Sequence, residues 1–405
     1  MLTSKINILI AALYYYDDEE KTLLSTCKNG VSAAHHTLLN NLIDGLVNYA
    51  NVTLLSSLPI GSFPKMSNSI IVKSNQRALG FEVGYVNLPI VKDIIRQQKI
   101  TKEIVKWYKR LDNKENSYVL IYDAAQPFIK GAINAKKIIN EIKNVLIIPD
   151  LPGDLSIENN TYSPIINYRL KQKAKLFYSI VGEVDAFIPL TRQMMTAAKL
   201  EKKPFMVMEC IVKPNLSEYP QLNNNTDKIL MYAGELSCNV NLDILIKAIK
   251  LLDNCKLLIC GRGSLEKNIK EESRIDNRIE FLGFIPKQEL KVLEKDVDIF
   301  VNPRQESGNF TQYSFPSKNA EYLLTGKPVV AYGLSGMPPE YSNYLYIPNN
   351  NSPEAMAKTI NNVMNMTLDE LLLRGKKQID FMNNKSSLVQ GKRITHFLKG
   401  LNDNA

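Results

Sequence analysis

Two stretches of this chain place residue types at spacings that suit phosphate chemistry. The first is Lys256-Leu-Leu-Ile-Cys-Gly-Arg-Gly-Ser-Leu-Glu, which reads as a strand, a Gly-x-Gly turn and a helix start. Gly261 and Gly263 let backbone N–H groups approach an anion, the following helix adds its positive end, and Arg262 supplies a cation. The stretch lacks the third glycine of a dinucleotide fingerprint and the trailing Gly-Lys-Ser/Thr of a P-loop, so a plain connecting turn competes with this reading. The second stretch runs from Phe300 to Val330. A strand ends at Pro303, a polar loop carries Arg304 and Glu306, and a short helix begins around Pro316 and ends before Gly326. Ser317 and Lys318 fall in its first turn beside unpaired N–H groups, which suits a diphosphate. Lys318 and Glu321 share a face, so the lysine can hold phosphate while the glutamate accepts hydrogen bonds from vicinal hydroxyls. An ordinary surface ion pair is the structural alternative.

These residues sit on a regular alternation of short apolar runs and helical stretches. Ile6-Asn-Ile-Leu-Ile, Val52-Thr-Leu-Leu, Ser69-Ile-Ile-Val, Tyr118-Val-Leu-Ile-Tyr and Asn144-Val-Leu-Ile-Ile-Pro-Asp read as strands, with helices over Ala33 to Val47, 92–111 and 132–142. The pattern restarts after a Pro/Asn-rich segment, with strands at Ile229, Lys256, Arg278, Asp298 and Pro328 and helices over Leu242 to Leu252 and Pro286 to Leu293. After Pro353 the chain reads as helical, and Thr367-Leu-Asp-Glu370 as a capping box. Strand–helix–strand units of this length predict two doubly wound parallel α/β halves facing a central cleft. The expected boundaries are 1–210, a linker over 211–227, 228–380, and a terminal helix over 381–405 that packs back on the first half.

Composition narrows the class. A chain of 405 residues with 45% hydrophobic and 22% charged residues is globular, with enough apolar content for two cores. The apolar run Ile6 to Tyr16 is shorter than the ~20 residues of a bilayer helix, and the start shows no signal-peptide pattern. Five scattered cysteines without a Cys-x-x-Cys pair and three histidines without His-Glu-x-x-His predict neither a disulfide framework nor a metal site, and suggest the cytoplasm. The net charge of +9 is mostly lysine in Asn/Ile-rich tracts and lacks the arginine-rich or aromatic-interleaved stripe of a nucleic-acid binder. Lys92 to Arg110 sets Lys92, Arg96, Lys99, Lys102, Lys106, Lys109 and Arg110 among Ile94, Ile95, Val105, Trp107 and Tyr108. That is either an ordinary solvated helix face or a peripheral contact with an anionic membrane.

The second half resembles the retaining family-4 (group 1) glycosyltransferases of GT-B fold, and most of all the branch used in capsule, O-antigen and exopolysaccharide assembly. The matching residues are Met231-Tyr-Ala-Gly-Glu-Leu, Ile259-Cys-Gly-Arg-Gly, Phe281-Leu-Gly-Phe-Ile, Asp298-Ile-Phe-Val-Asn-Pro-Arg and Tyr313-Ser-Phe-Pro-Ser-Lys-Asn-Ala-Glu-Tyr-Leu-Leu-Thr-Gly-Lys-Pro-Val. The resemblance implies that Glu321 binds the ribose of a nucleotide sugar, and that Ser317, Lys318 and the backbone of Tyr313, Ser314 and Phe315 meet the diphosphate. It implies that Gly283, Phe284 and Ile285 line the base and that Gly234 leaves room for phosphates. The chain departs from the family at Tyr313, where a glutamate commonly contacts the donor sugar. It departs again at Val240 and Asn241, where an Arg and a Lys are frequent; leaving-group charge then falls to Lys318, with Arg262 or Arg304 as substitutes.

In this architecture the turn Lys28 to His35 faces the cleft, so Gly30, Ser32 and His35 are acceptor-side candidates, as are Asp123 and Asp150 at the ends of strands. Structural roles compete for each. Asp296-Val-Asp298 mimics a metal-binding Asp-x-Asp but precedes a strand, so it reads as a helix–strand junction. The expected activity is metal-independent retaining hexosyl transfer from a nucleotide sugar, with UDP the commonest family choice, to a saccharide or polyprenyl-linked acceptor, without a separate cofactor. The alternatives are a nucleotide-sugar 2-epimerase, disfavoured because Glu306-Ser-Gly-Asn-Phe-Thr replaces its Ser-Gly-Gly motif, and a catalytically silent partner subunit.

Overall fold

The computed structural model describes residues 5–16, 18, 19, 23, 33–152, 164–223, 226–306 and 310–403. Gly30 and Ser32 lie outside the described residues. The chain divides into two compact units, residues 1–211 with 387–405, and residues 212–386.

The first unit is built on β1 (Ile6–Leu13), α1 (Ala33–Leu46), β2 (Ala50–Ser57), β3 (Ile71–Val72), β4 (Asn75–Arg77), β5 (Gly80–Glu82) and β6 (Tyr85–Val86). It continues through α2 (Val91–Arg110), β7 (Ser117–Tyr122), α3 (Gln126–Ile138), β8 (Lys143–Ile148), α4 (Pro164–Ile180), β9 (Ala186–Pro189) and α5 (Arg192–Ala197). Seven strands form one sheet in the order β4-β5-β2-β1-β7-β8-β9. Only the β4–β5 pair in it is antiparallel. The central strands are unbroken apolar runs because helices cover both faces, and every residue of β7 is buried. The helix expected over 132–142 starts earlier, since Pro127 suits a first helical turn. The four-residue β9 was too short to show any periodicity in the sequence.

One expected strand is not in the large sheet. Ser69 to Val72 contributes only β3, which pairs antiparallel with β6 in a separate two-stranded sheet. Buried Asn87 staples this small sheet. Its side-chain Nδ2 donates to the carbonyls of Gly61 at 2.8 Å and Ser69 at 2.9 Å, and its backbone N–H donates to Ile70 O at 2.7 Å.

The second unit carries β10 (Lys228–Glu235), α6 (Leu242–Lys250), β11 (Cys255–Arg262), α7 (Glu266–Ile275), β12 (Ile279–Gly283) and α8 (Lys287–Leu293). After them come β13 (Ile299–Asn302), α9 (Ser317–Leu324), β14 (Val329–Ala331), α10 (Pro353–Met364) and α11 (Leu368–Asn383). Its parallel sheet runs β12-β11-β10-β13-β14. Two buried charges brace it. Lys327 Nζ donates to the carbonyls of Glu294, Lys295 and Val297 at 3.0, 2.6 and 2.6 Å, closing the end of α8. Asp298 accepts from Ile229 N at 2.8 Å, so this carboxylate works as the expected junction brace. Thr367 and Glu370 form the reciprocal capping box at the start of α11.

The segment expected as a linker is tied down. Asn215 N donates to Asn383 Oδ1 at 2.9 Å, Asn383 Nδ2 donates back at 2.8 Å, and Asn215 Nδ2 holds Leu324 O at 2.7 Å. The helix expected from 381 is two elements: α11 ends at Asn383, and α12 (Ser387–Asp403) belongs to the first unit. Glycines let α12 lie directly on α1. A Cβ at Gly45 would stand 2.1 Å from Ser387 O, and one at Gly391 would stand 2.5 Å from Gly45 O.

Candidate functional site

In the second unit the carboxyl ends of β10 and β11 meet through glycine. Gly234 is the register partner of Gly261, and Glu235 of Arg262. Gly261 has φ +145°, and a Cβ there would sit 1.8 Å from Gly234 O; a Cβ at Gly263 would sit 2.2 Å from Leu236 O. Backbone bonds lock this approach, Leu236 N to Arg262 O at 2.9 Å and Leu265 N to Leu236 O at 3.0 Å. The Gly263 N–H donates to the Glu266 carboxylate at 3.1 Å. The neighbouring backbone requires these glycines, and the Gly263 N–H faces a carboxylate.

β12 ends at Gly283 in a left-handed turn of φ +70°, after which Phe284 stands 47% exposed. The Arg262 guanidinium lies 4.2 Å over the Phe284 ring, a flat cation–aromatic stack that can meet the face of a base. Ile285 is half-buried beside it. Arg262 thus belongs to the aromatic side of the site.

α9 begins after Pro316, whose position has no side-chain cap bond among the described residues. Asn319 N donates to Pro316 O at 2.9 Å, which leaves the N–H groups of Ser317 and Lys318 to meet an anion. Ser317 is exposed, and Lys318 Nζ sits 2.8 Å from Glu321 Oε2. Tyr322 fixes the helix on the sheet: its hydroxyl accepts from Ala233 N at 2.9 Å and donates to Ala233 O at 3.2 Å, while its ring stacks on Phe300 at 4.4 Å. Tyr322 thereby ties α9, which carries Glu321, to β10 at Ala233. At the end of β13, Asn302 Nδ2 donates to Asn319 Oδ1 at 2.7 Å, and Arg304 N on the following loop lies 3.4 Å from Asn302 Oδ1. Tyr313 is half-buried, whereas Ser314 and Phe315 are buried and the Phe315 ring meets Tyr341 edge-on at 5.3 Å.

Residues in and just after α8 were missed by the sequence reading. Lys287 is held below its ordinary pKa by desolvation, with Glu321 opposing and the charges of Lys291, Lys318 and Lys213 adding to the effect. Burial raises the Glu294 carboxyl, aided by Glu321 and opposed by Lys318, Lys291 and Lys287. Lysines from three segments therefore share one field with Glu321. In the sequence they resemble a solvated face; the signal was Pro286-Lys287, a helix start immediately after the base-lining segment. Val240 is buried, and Asn241 takes φ 57° at the start of α6.

In the first unit the structure joins three of the acceptor-side candidates. His35 Nε2 lies 3.0 Å from Asp150 Oδ2, and its Nδ1 lies 3.8 Å from Asp123 Oδ2. Tyr122 donates from its hydroxyl to His35 O at 3.0 Å. Asp123 adopts φ +70° as it leaves β7. Burial pushes its carboxyl up against the lowering charge of His35. Burial disfavours the His35 cation, yet the Asp150 hydrogen bond and the Asp123 charge outweigh it and raise its pKa. His36 instead stacks flat on Tyr15 at 3.8 Å. A raised histidine pKa contributes stability that is fully present below the unfolded value of about 6.5 and is lost as pH rises through the higher folded value. His35→Gln should cost roughly 1 kcal/mol at acidic pH, with the gap from wild type closing on the alkaline side. Urea unfolding across pH checks this, and a pH-independent gap would refute it.

The basic stripe of α2 is largely engaged internally. Buried Arg96 lies 3.8 Å over the Tyr85 ring and donates to Ser57 Oγ at 3.1 Å and Leu58 O at 2.7 Å. Lys92 holds Ile60 O at 3.2 Å, Lys99 holds Gly84 O at 2.7 Å, and Lys106 pairs with Glu103 at 2.7 Å. Lys92, Arg96 and Lys99 thus satisfy loop and strand-end carbonyls, whereas Lys102, Lys109 and Arg110 are exposed.

Residues 217–379 match the family model of glycosyl transferases group 1. An uncharacterized glycosyltransferase of Methanocaldococcus jannaschii is 27% identical over 117 residues, which cover 27% of this chain and 28% of that protein. Among solved structures, the lipopolysaccharide outer core galactosyltransferase WaaB in its apo form superposes with TM-score 0.61 at 13% identity, covering 98% of this chain and 99% of that one. Anabaena HepE in complex with UDP gives 0.62 at 14% identity, covering 98% and 100%. A sucrose-phosphate synthase from Thermosynechococcus elongatus gives 0.61 at 11% identity, also covering 98% and 100%. With its paired lysine and glutamate on α9, the segment 217–379 carries the domain of glycosyl transferases group 1, in a chain with the GT-B fold.

Proposed function

We propose that the chain is a retaining glycosyltransferase that binds a nucleoside-diphosphate sugar on its second unit and passes the sugar to a saccharide or polyprenyl-linked acceptor bound by the first. The observation that carries this reading is the Lys318–Glu321 pair on the uncapped first turn of α9, locked to β10 by Tyr322. When donor binds, Lys318 turns from Glu321 to the diphosphate, and Glu321 accepts hydrogen bonds from the ribose hydroxyls. Lys287 supplies the second cation that relatives take from the region occupied here by Val240 and Asn241. Developing charge on the leaving diphosphate is met by these lysines and by the helix N-terminus, a preorganised electrostatic arrangement. The Arg262–Phe284 stack receives the base. UDP is the nucleotide that the HepE complex favours, and the WaaB likeness favours a surface-polysaccharide acceptor. Attack comes from the face the diphosphate leaves, so no protein nucleophile is assigned.

A second reading, a catalytically silent nucleotide-binding subunit, is favoured by buried Val240 and by Tyr313 at the donor-sugar position. Calorimetric titration with UDP, GDP and ADP, without metal and then with Mg²⁺, tests the assignment. One diphosphate should bind selectively without metal, and Lys287→Ala should weaken it roughly tenfold. Binding without turnover of any donor sugar favours the silent subunit. No binding by folded protein overturns both readings.

A further inference from the structure

We propose that the knuckle formed by the two-stranded β3–β6 sheet and the first turn of α2 inserts into an anionic lipid surface. Its basis is independent of the transferase reading. Six aliphatic side chains project into solvent there: Ile70 at 47%, Ile71 at 69%, Leu88 at 39%, Ile90 at 76%, Val91 at 41% and Ile94 at 52% exposure. They are neighbours in space. In β3, Val72 turns inward to Tyr15, Ile60 and Tyr85, leaving Ile71 outward. Asn87 N bonds Ile70 O at 2.7 Å, which brings Leu88 alongside, and the helical bond from Ile94 N to Ile90 O at 3.3 Å aligns those two side chains.

The exposure is built into a rigid element. Asn87 is fully buried and holds both the small sheet and the preceding turn. Arg96 clamps the other side, over Tyr85 and onto Leu58 O. Ile90 sits at φ 67° and ψ −53°, at the centre of a tight turn closed by Val91 N on Pro89 O at 2.7 Å, a conformation that is costly for a β-branched residue. The chain therefore holds an isoleucine in a strained backbone while leaving it among the most exposed apolar residues. That arrangement has no benefit to folding in water.

Chemistry selects lipid over protein as the occupant. All six side chains are aliphatic, without the aromatic and arginine anchors that dominate protein interfaces. Lys65, in the turn bonded to Asn87, and Lys73, directly after Val72, are exposed at its edge. Between residues 58 and 100 the acids are Glu82, which is buried against Arg77, and Asp93, which lies 3.9 Å from Arg96. An aliphatic knuckle with lysines at its rim matches an acyl-chain boundary beneath anionic headgroups. No described helix is long and apolar enough to cross a membrane, so the contact is peripheral.

Flotation of the full chain with vesicles of mixed phosphatidylglycerol and phosphatidylcholine, or of phosphatidylcholine alone, tests this. Wild type should float with the anionic vesicles. Combined Ile71→Ser, Ile90→Ser and Ile94→Ser should lower the partition coefficient at least ~tenfold. Lys65→Gln with Lys73→Gln should lower it several-fold and remove its salt sensitivity. Ile71→Ser alone separates this from misfolding: the side chain is 69% exposed, so thermal stability should hold while flotation falls. Failure of wild type to float, or flotation unchanged in the serine variant, overturns the proposal. So does a wild-type dimer in lipid-free light scattering that the serine variant abolishes, since the knuckle would then be a protein interface.

Discussion

Replacing Lys318 by Ala should lower kcat/KM for the donor roughly 100- to 1,000-fold, the size expected when one preorganised cation is removed from developing negative charge. The loss should fall mainly on kcat, because the phosphate charge grows as the glycosidic bond breaks. Glu321→Ala should behave differently. The ribose contacts proposed for it would be the same in ground and transition states, so KM should rise by roughly 10- to 100-fold while kcat changes less. Stability separates both from the plain ion-pair reading. Lys318 and Glu321 are each partly exposed, and such a pair contributes at most about 1 kcal/mol to folding. Both variants should therefore melt close to wild type. Donor hydrolysis provides the kinetic readout until an acceptor is known. Unchanged kinetics in both variants would return the pair to an ordinary surface role and remove the observation on which the functional reading rests.

Gly261→Ala should be the most damaging single methyl in the second unit. The new Cβ would lie 1.8 Å from Gly234 O, on a backbone at φ +145° that a side chain rarely adopts. Relief requires β10 and β11 to part at the pair Gly234–Gly261, which the bonds through Leu236 and Arg262 oppose. A destabilisation of at least ~3 kcal/mol should follow, combining overpacking with strain. Gly283→Ala is the control. That residue also has positive φ, but open space surrounds its Cβ position, so it should cost only ~1 kcal/mol. Urea unfolding followed in the second unit measures both. If the Gly261→Ala variant folds with wild-type stability yet loses nucleotide binding, the glycine serves a ligand after all.

Much of the second unit could be read locally. β10 and β11 announce themselves as apolar runs ended by glycine, and α9 is bracketed by Pro316 and Gly326. The pairing of Lys318 with Glu321 also needed no tertiary information, because residues three apart on a helix are neighbours by geometry. The 3.6-residue and 2-residue periods carry such facts within a window of a few residues.

Other features had no local signature. His35 and Asp150 are 115 residues apart, and each alone resembles a capping or core residue. Arg96 and Lys99 look like a solvated face until the loop carbonyls that they satisfy are in place. Lys287 appears unremarkable until α8 and α9 share one field with Glu321. The terminal helix was expected to pack back on the first half, but its start at Ser387 and its close seat on α1 depend on Gly45 and Gly391 allowing two backbones to touch. The sequence alone thus determined the doubly wound α/β pattern and the lysine–glutamate pair of α9, because periodicity and helix spacing act over a few residues. Only the tertiary structure decided which distant charges share a site, which glycines serve backbone contact and which aliphatic residues remain in water, because those depend on contacts between elements that no local spacing encodes.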